Sequence, residues 1–201
     1  MSNKNWKLET YTNQDLSDWY KAAEAKKYYN NSSPDILLNY LDTEQDAKLF
    51  LLYYKDTIVG NVAVHKLSSL GILGKDAYRI AARLCVISDL IDGDREFKSL
   101  RSVNEGINHD HVSAQFLYPA CIEYAGRDKP LYISTIDDPV ASQRAIHRRW
   151  APYWHKMGIL DAPIELEYRM KFQSFWKFNV EEFYKTLREQ RWPEAQEVLP
   201  I

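Results

Sequence analysis

The sequence predicts an α/β fold: a central mixed, twisted sheet flanked by helices, with an added C-terminal helix. Three observations predict it. Strand and helix periodicities follow the order β-α-α-β-β-β-α-β-α-β before a last helix, the alternation of a layered α/β domain. The run "KLFLLYYKDTIVGNVAVHKL" (48–67) is two β-rich stretches meeting at Lys55-Asp56-Thr57, a hairpin. Further on, "AYRIAARLCVISDLI" (77–91) is apolar on both parities at its centre, as in a strand covered on both faces, and "KPLYISTID" (129–137) reads as another buried strand.

The elements follow in order. "WKLETYT" alternates apolar and polar residues as a short strand does. "NQDLSDWYKAAEAKKYY" is a helix that Asn13 or Asp15 can cap, with Leu16, Trp19 and Tyr20 on one face. "SPDILLNYLDTEQDA" is a second helix, Ser33 its cap and Pro34 its first position. Gly60, inside the second hairpin strand, marks a bulge or a close backbone approach. "LGILGKD" is a turn-rich connection. A long polar stretch, "DGDREFKSLRSVNEGINHDHVS", then leads to "AQFLYPACIEYAGRDK", a helix that Pro119 must kink or start late. "DPVASQRAIHRRWAPYWHKMGIL" is a helix interrupted at Pro152, "PIELEYRMKF" a strand, and "FNVEEFYKTLREQRWPEAQ" a closing amphipathic helix.

No repeat, low-complexity tract or long linker divides the 201 residues, so one domain is expected, its core about 6–172 with a helical extension at 173–201. A net charge of −2 carries no global basic signature, so any nucleic-acid role needs a local patch. Cys85 and Cys121 sit in apolar runs without metal spacing and read as buried thiols in a reducing compartment. With no apolar leader and no run approaching a membrane span, a soluble cytoplasmic protein without a membrane partner is the expectation.

Taken together, these stretches resemble the GNAT acyltransferase superfamily over roughly residues 6 to 172. "WKLETYTNQDLSDWYKAA" is similar to that family's first strand and helix, "LFLLYYKDTIVGNVAV" to its second and third strands, "YRIAARLCVISDL" to its central fourth strand, and "HKMGIL" to the turn ending its last conserved helix. The resemblance implies acetyl-CoA or another acyl-CoA in a cleft where "RLCVISD" and "LYIST" splay apart, with Val86, Ile87 and Ser88 supplying strand-end contacts. One feature departs from the pattern. The family's glycine-rich turn lets backbone N–H groups approach a phosphate at a helix N-terminus. This chain offers the longer "GDREFKSLRSVNEGINHDHVS", with glycines only at 93 and 106, so Arg95, Lys98 and Arg101 would have to supply the charge. A narrower similarity is to the Mom-like phage proteins that modify DNA bases, through Arg83 in "ARLCV" and Ser134, Asp138 and Pro139 in "STIDDP".

Several groups carry chemistry, each beside a plainer reading. His109 and His111 could clip a metal, but no third ligand is spaced for it, and a polar approach to a helix capped by Asp110 or Ser113 is simpler; no metal is expected. Asp89 ends the central strand, placed to take a proton from an attacking amine, or belongs to a solvated Asp/Gly turn. Arg83, in an apolar strand, needs a carboxylate such as Asp138 or a phosphate unless it faces solvent. In "RAIHRRWAPYWHKM", Arg144, Arg148, Arg149 and Lys156 interleave with aromatic rings, which suits phosphate and base recognition or an ordinary amphipathic helix. The resemblance places a tyrosine acid four residues before the helix-ending glycine, where this chain has Trp154, with Tyr153 one position away. The expected function is transfer of an acyl-type group to an amine, a small molecule or a nucleobase, with Asp89 or Asp138 as base and Tyr153 as acid. The alternative is a binding module for nucleic acid or protein that kept the fold without the cofactor.

Overall fold

The computed structural model describes residues 6–25, 35–67, 70–80, 85–86, 113–136 and 146–189. They form strands β1 (Trp6–Thr10), β2 (Lys48–Tyr54), β3 (Thr57–Lys66), β4 (Tyr78–Ile80), β5 (Cys85–Val86), β6 (Leu131–Ile136), β7 (Ile164–Tyr168) and β8 (Lys171–Lys177). The helices are α1 (Ser17–Ala25), α2 (Asp35–Thr43), α3 (Tyr118–Ala125), α4 (Ile146–Lys156) and α5 (Val180–Glu189). One mixed sheet runs β1-β2-β3-β4-β6-β8-β7, with β5 also paired to β3. Its only parallel pair among the described residues is β4 with β6; the others are antiparallel. This is the α/β sheet that the alternating pattern predicts.

Local chemistry explains most boundaries. Asp15 starts α1, accepting from the Ser17 amide at 2.9 Å and the Ser17 hydroxyl at 2.6 Å. The β2–β3 turn falls at Lys55 and Asp56, Lys55 taking a left-handed φ of 54°. Leu52 pairs with Gly60 but Tyr53 with Ile58, so a bulge lies beside Gly60, as its position in the strand predicts. Pro119 sits in the first turn of α3, where its missing N–H removes no helical bond, and a π-helical turn, Ser113–Leu117, precedes it.

Two expectations are corrected. α4 runs through Pro152 without interruption, because buried Ala151 and Trp154 anchor it and outweigh the lost bond. "PIELEYRMKF" is two strands, not one: β7 and β8 join at Arg169-Met170, with φ of 54° and 60°. Such a turn ordinarily carries Asn or Gly, and neither is present to announce it. The predicted Ser33 and Pro34 helix start lies outside the described residues.

The sheet is covered on both faces. On one, Val62, Val64, Ile80, Leu131 and Ile133 meet Phe116, Cys121 and Ile122 around α3, Trp154 of α4 and Phe183 of α5. On the other, Leu49, Leu51 and Ala63 lie beneath Leu16 and the partly buried Leu38 and Leu41, while Tyr132 and Phe175 pack with Tyr168, Leu67 and Leu73. Among the described residues no helix is long and apolar enough to cross a membrane.

Candidate functional site

The one parallel pair among the described residues lies in the middle of the sheet. β4 and β6 pair in parallel at Tyr78–Leu131, Arg79–Tyr132 and Ile80–Ile133, and there the described ladder ends. β6 continues through Ser134, Thr135 and Ile136, held by β8 on its other side. Cys85–Val86 pairs with β3. On β3, Val64 pairs with Ile80 and Asn61 with Cys85. Main-chain direction alternates along a strand, and the Pro130 carbonyl accepts from the Tyr78 amide at 2.8 Å while that of Leu131 accepts from Phe178 across the sheet. The same alternation turns the carbonyl of Ser134 and the amide of Ile136 to the β4 side of β6.

Beside this parallel pair the sheet buries an unusual polar constellation on its α1–α2 face. Arg79, 4% exposed, donates from Nε to Ser134 Oγ at 2.9 Å and from Nη2 to Gln173 Oε1 at 3.3 Å. Ser134 donates to the same Gln173 oxygen at 2.9 Å, and Gln173 Nε2 donates to the Tyr168 carbonyl at 3.0 Å. The guanidinium also stacks 5.2 Å from the Tyr168 ring centre. Across the β3–β4 ladder from Arg79 is His65, fully buried. Its Nδ1 lies 3.0 Å from the Lys66 carbonyl and 3.2 Å from Glu44 Oε2, both acceptors, which places the proton of the neutral ring on Nδ1. Glu44 is itself ion-paired with Arg169 from the β7–β8 turn. Burial first, and then the charge of Arg79, pull His65 down to about 3, so the ring is neutral at physiological pH.

The residues singled out in the sequence divide three ways. Ser134 is buried, bound to Arg79 and Gln173. Tyr153 and Lys156 are exposed on α4, Tyr153 at 40%, whereas Trp154 is core against Tyr118, Phe178 and Phe183. Val86 is described through its pairing with Gly60, and Arg148 and Arg149 through their place in α4. Arg83, Ile87, Ser88, Asp89, Arg95, Lys98, Arg101, His109, His111, Asp138 and Arg144 lie outside the described residues. Among the described residues no group of His, Cys, Asp and Glu could hold a metal ion.

Sequence reasoning missed Arg79, Gln173, His65 and Glu44. The argument that a buried arginine needs a partner was applied to Arg83, yet Arg79 stands four residues earlier in the same apolar run. Its signal was present: a charge between Tyr78 and Ile80 in a strand predicted to be covered on both faces.

A mixed seven-strand path flanked by helices, with one parallel pair among the described residues, matches the GNAT acyltransferase fold. The solved structures it resembles bear this out at the level of fold. FeeM, an N-acyl amino acid synthase from uncultured soil microbes, is similar at a TM-score of 0.54 and 11% identity, over 90% of this chain and 93% of that one. A GNAT-family protein from Desulfovibrio desulfuricans matches at 0.51 and 11%, over 87% and 99%. yncA from Salmonella typhimurium, solved with its cofactor acetyl-CoA, matches at 0.50 and 11%, over 88% and 94%. No family model and no curated protein matches the sequence.

Proposed function

We propose that this protein transfers an acyl group from an acyl thioester such as acetyl-CoA to an amine. The observation that carries this reading is the parallel pairing of β4 with β6 in the middle of the mixed sheet, where the resemblance places an opening for acyl-CoA. An extended, amide-bearing chain can lie along a strand and exchange main-chain hydrogen bonds with it. Ser134 and Ile136 are the proposed main-chain contacts, with Val86, Ile87 and Ser88 the proposed partners across the opening and Arg95, Lys98 and Arg101 for the phosphates. The acetyl-CoA present in yncA supports the same reading.

When bound, the thioester supplies an activated carbonyl: a nitrogen–carbon bond forms, the carbon–sulfur bond breaks, and the thiol departs. The chain must take one proton from the amine and return one to the thiolate. Asp89 or Asp138 is the proposed base, and Tyr153, exposed on α4, the proposed acid. Arg83 paired with Asp138 would orient that carboxylate. Ser134, fixed by Arg79 and Gln173, sets the main chain at the opening.

Thermal-shift titration tests this directly. Acetyl-CoA and longer acyl-CoAs should raise the melting temperature with concentration. No shift at millimolar ligand sinks the proposal. A second reading, a nucleobase acceptor as in Mom-like enzymes or a nucleic-acid-binding module, is favoured by the run of exposed Tyr153, His155 and Lys156 at the end of α4. It requires salt-dependent retention of oligonucleotide, weakened by Arg148→Glu and Arg149→Glu; lack of retention at low salt removes it.

A further inference from the structure

We infer that Arg79 is the anchor for a carboxylate on the acceptor, so that the amine acylated is a small amino-acid-like molecule. The inference rests on the acyl-transfer reading and adds the acceptor's chemical class.

A guanidinium stays charged in any protein environment, and burying it is costly unless an anion compensates. Arg79 is 4% exposed, and its partners are a serine hydroxyl, a glutamine carbonyl and a tyrosine ring, all neutral. Among the described residues no carboxylate pairs with it. Glu44, the acid of the constellation, is paired with Arg169 and His65. His65 supplies no negative charge in either protonation state. Among the described residues the guanidinium charge is therefore uncompensated.

The placement of that charge is equally specific. Arg79 is the penultimate paired residue of β4, and its Nε bond goes to Ser134, the first residue of β6 beyond the last rung. Its head group thus sits at the end of the described β4–β6 ladder, beside the proposed opening. Two of its five donors are used, which leaves Nη1 and one Nη2 proton for a planar anion. The head cannot swing away, because Gln173 is itself pinned to the Tyr168 carbonyl. Neutral acceptors fix the fork and leave its charge unspent, as a carboxylate receptor requires. The depth of the residue suits a small molecule better than a polymer.

The test compares matched pairs that differ only by a carboxylate: glycine with methylamine, phenylalanine with phenethylamine. Binding is measured by calorimetry on the intact protein, with acetyl-CoA titrated separately to report on the donor site. The amino acid of each pair should bind about tenfold to a hundredfold more tightly, the worth of a charge-assisted bond. Equal binding within the pairs, or no binding of either member at millimolar ligand, overturns the inference, whatever acetyl-CoA does. Failure of acetyl-CoA alone sinks the acyl-transfer reading and leaves a carboxylate receptor. Arg79→Met should abolish the preference. Gln173→Glu provides a check if that variant does not fold, because it sets an internal carboxylate against the guanidinium. The preference should collapse there too, and its persistence would show that Arg79 is not the reader.

Discussion

His65 gives the sharpest physical prediction. In the unfolded chain an imidazole titrates near 6.5, whereas in the fold it is held down to about 3. The groups around it pull in opposite directions. Glu44 would favour the imidazolium, but its charge is shared with Arg169, and Arg79 across the ladder opposes protonation. Burial then tips the balance to the neutral ring. The sign follows from which state binds the proton. Above the unfolded value neither state does, and His65 adds no pH dependence. Below it the unfolded chain gains a proton that the fold refuses, so stability falls until the folded value is reached. Each pH unit in that window costs about 1.4 kcal/mol, or about 2 kcal/mol between about pH 6.5 and 5. For a chain of this size that is a fall of about 4–8 °C in melting temperature. Urea denaturation of the wild type and His65→Gln across this range isolates the effect, since the other histidines are common to both. The wild type should lose about 2 kcal/mol more than the variant. Parallel curves, or a wild type that gains stability in acid, would refute the reasoning by showing that Glu44 wins.

Other substitutions separate core from chemistry. Trp154→Ala should cost about 3–5 kcal/mol in denaturant unfolding, because it empties the cluster of Tyr118, Phe178 and Phe183. Tyr153→Phe, one residue earlier and exposed, should change stability by less than about 0.5 kcal/mol. If Tyr153 is the acid, the same change slows thiol release about a hundredfold, most steeply at high pH; an unchanged rate removes it from the mechanism. Gly158→Ala should cost about 1 kcal/mol from its φ of +78° alone, since the nearest neighbour, Glu182 Cγ at 3.7 Å, leaves room for a methyl. The Cys121 thiol is fully buried and held protonated by that burial, so peptide mapping should find it alkylated only after denaturation.

The fold was legible where one physical requirement dominated a local stretch. Buried strands had to be apolar on both parities, the β2–β3 bulge falls beside Gly60, and α1 needed an oxygen such as that of Asp15. It was illegible where tertiary structure overrode local preference. Nothing local marks Arg169-Met170 as a turn, because neither residue favours the left-handed conformation that both adopt. The site is harder still, since Arg79, Ser134 and Gln173 come from three separate strands. Strand register alone brings them together, and a one-residue slip would turn each to the opposite face. Reading along the chain could find a charged residue in an apolar strand; it could not decide between Arg79 and Arg83.

The constellation ties three strands together at one level of the sheet. β8 pairs with β6 through Ile136, and the last described rung between β6 and β4 is Ile80–Ile133. Arg79 and Ser134 flank that rung from opposite strands, and their hydrogen bond ties the last paired turn of the ladder to the first residue past it. Gln173 ties both to β8. A sheet that only needed to pair could have used apolar side chains here, with no charge to bury. Placing a guanidinium here makes sense when something anionic completes the site, and under the acyl-transfer reading the amine of such a molecule would stand at the proposed opening.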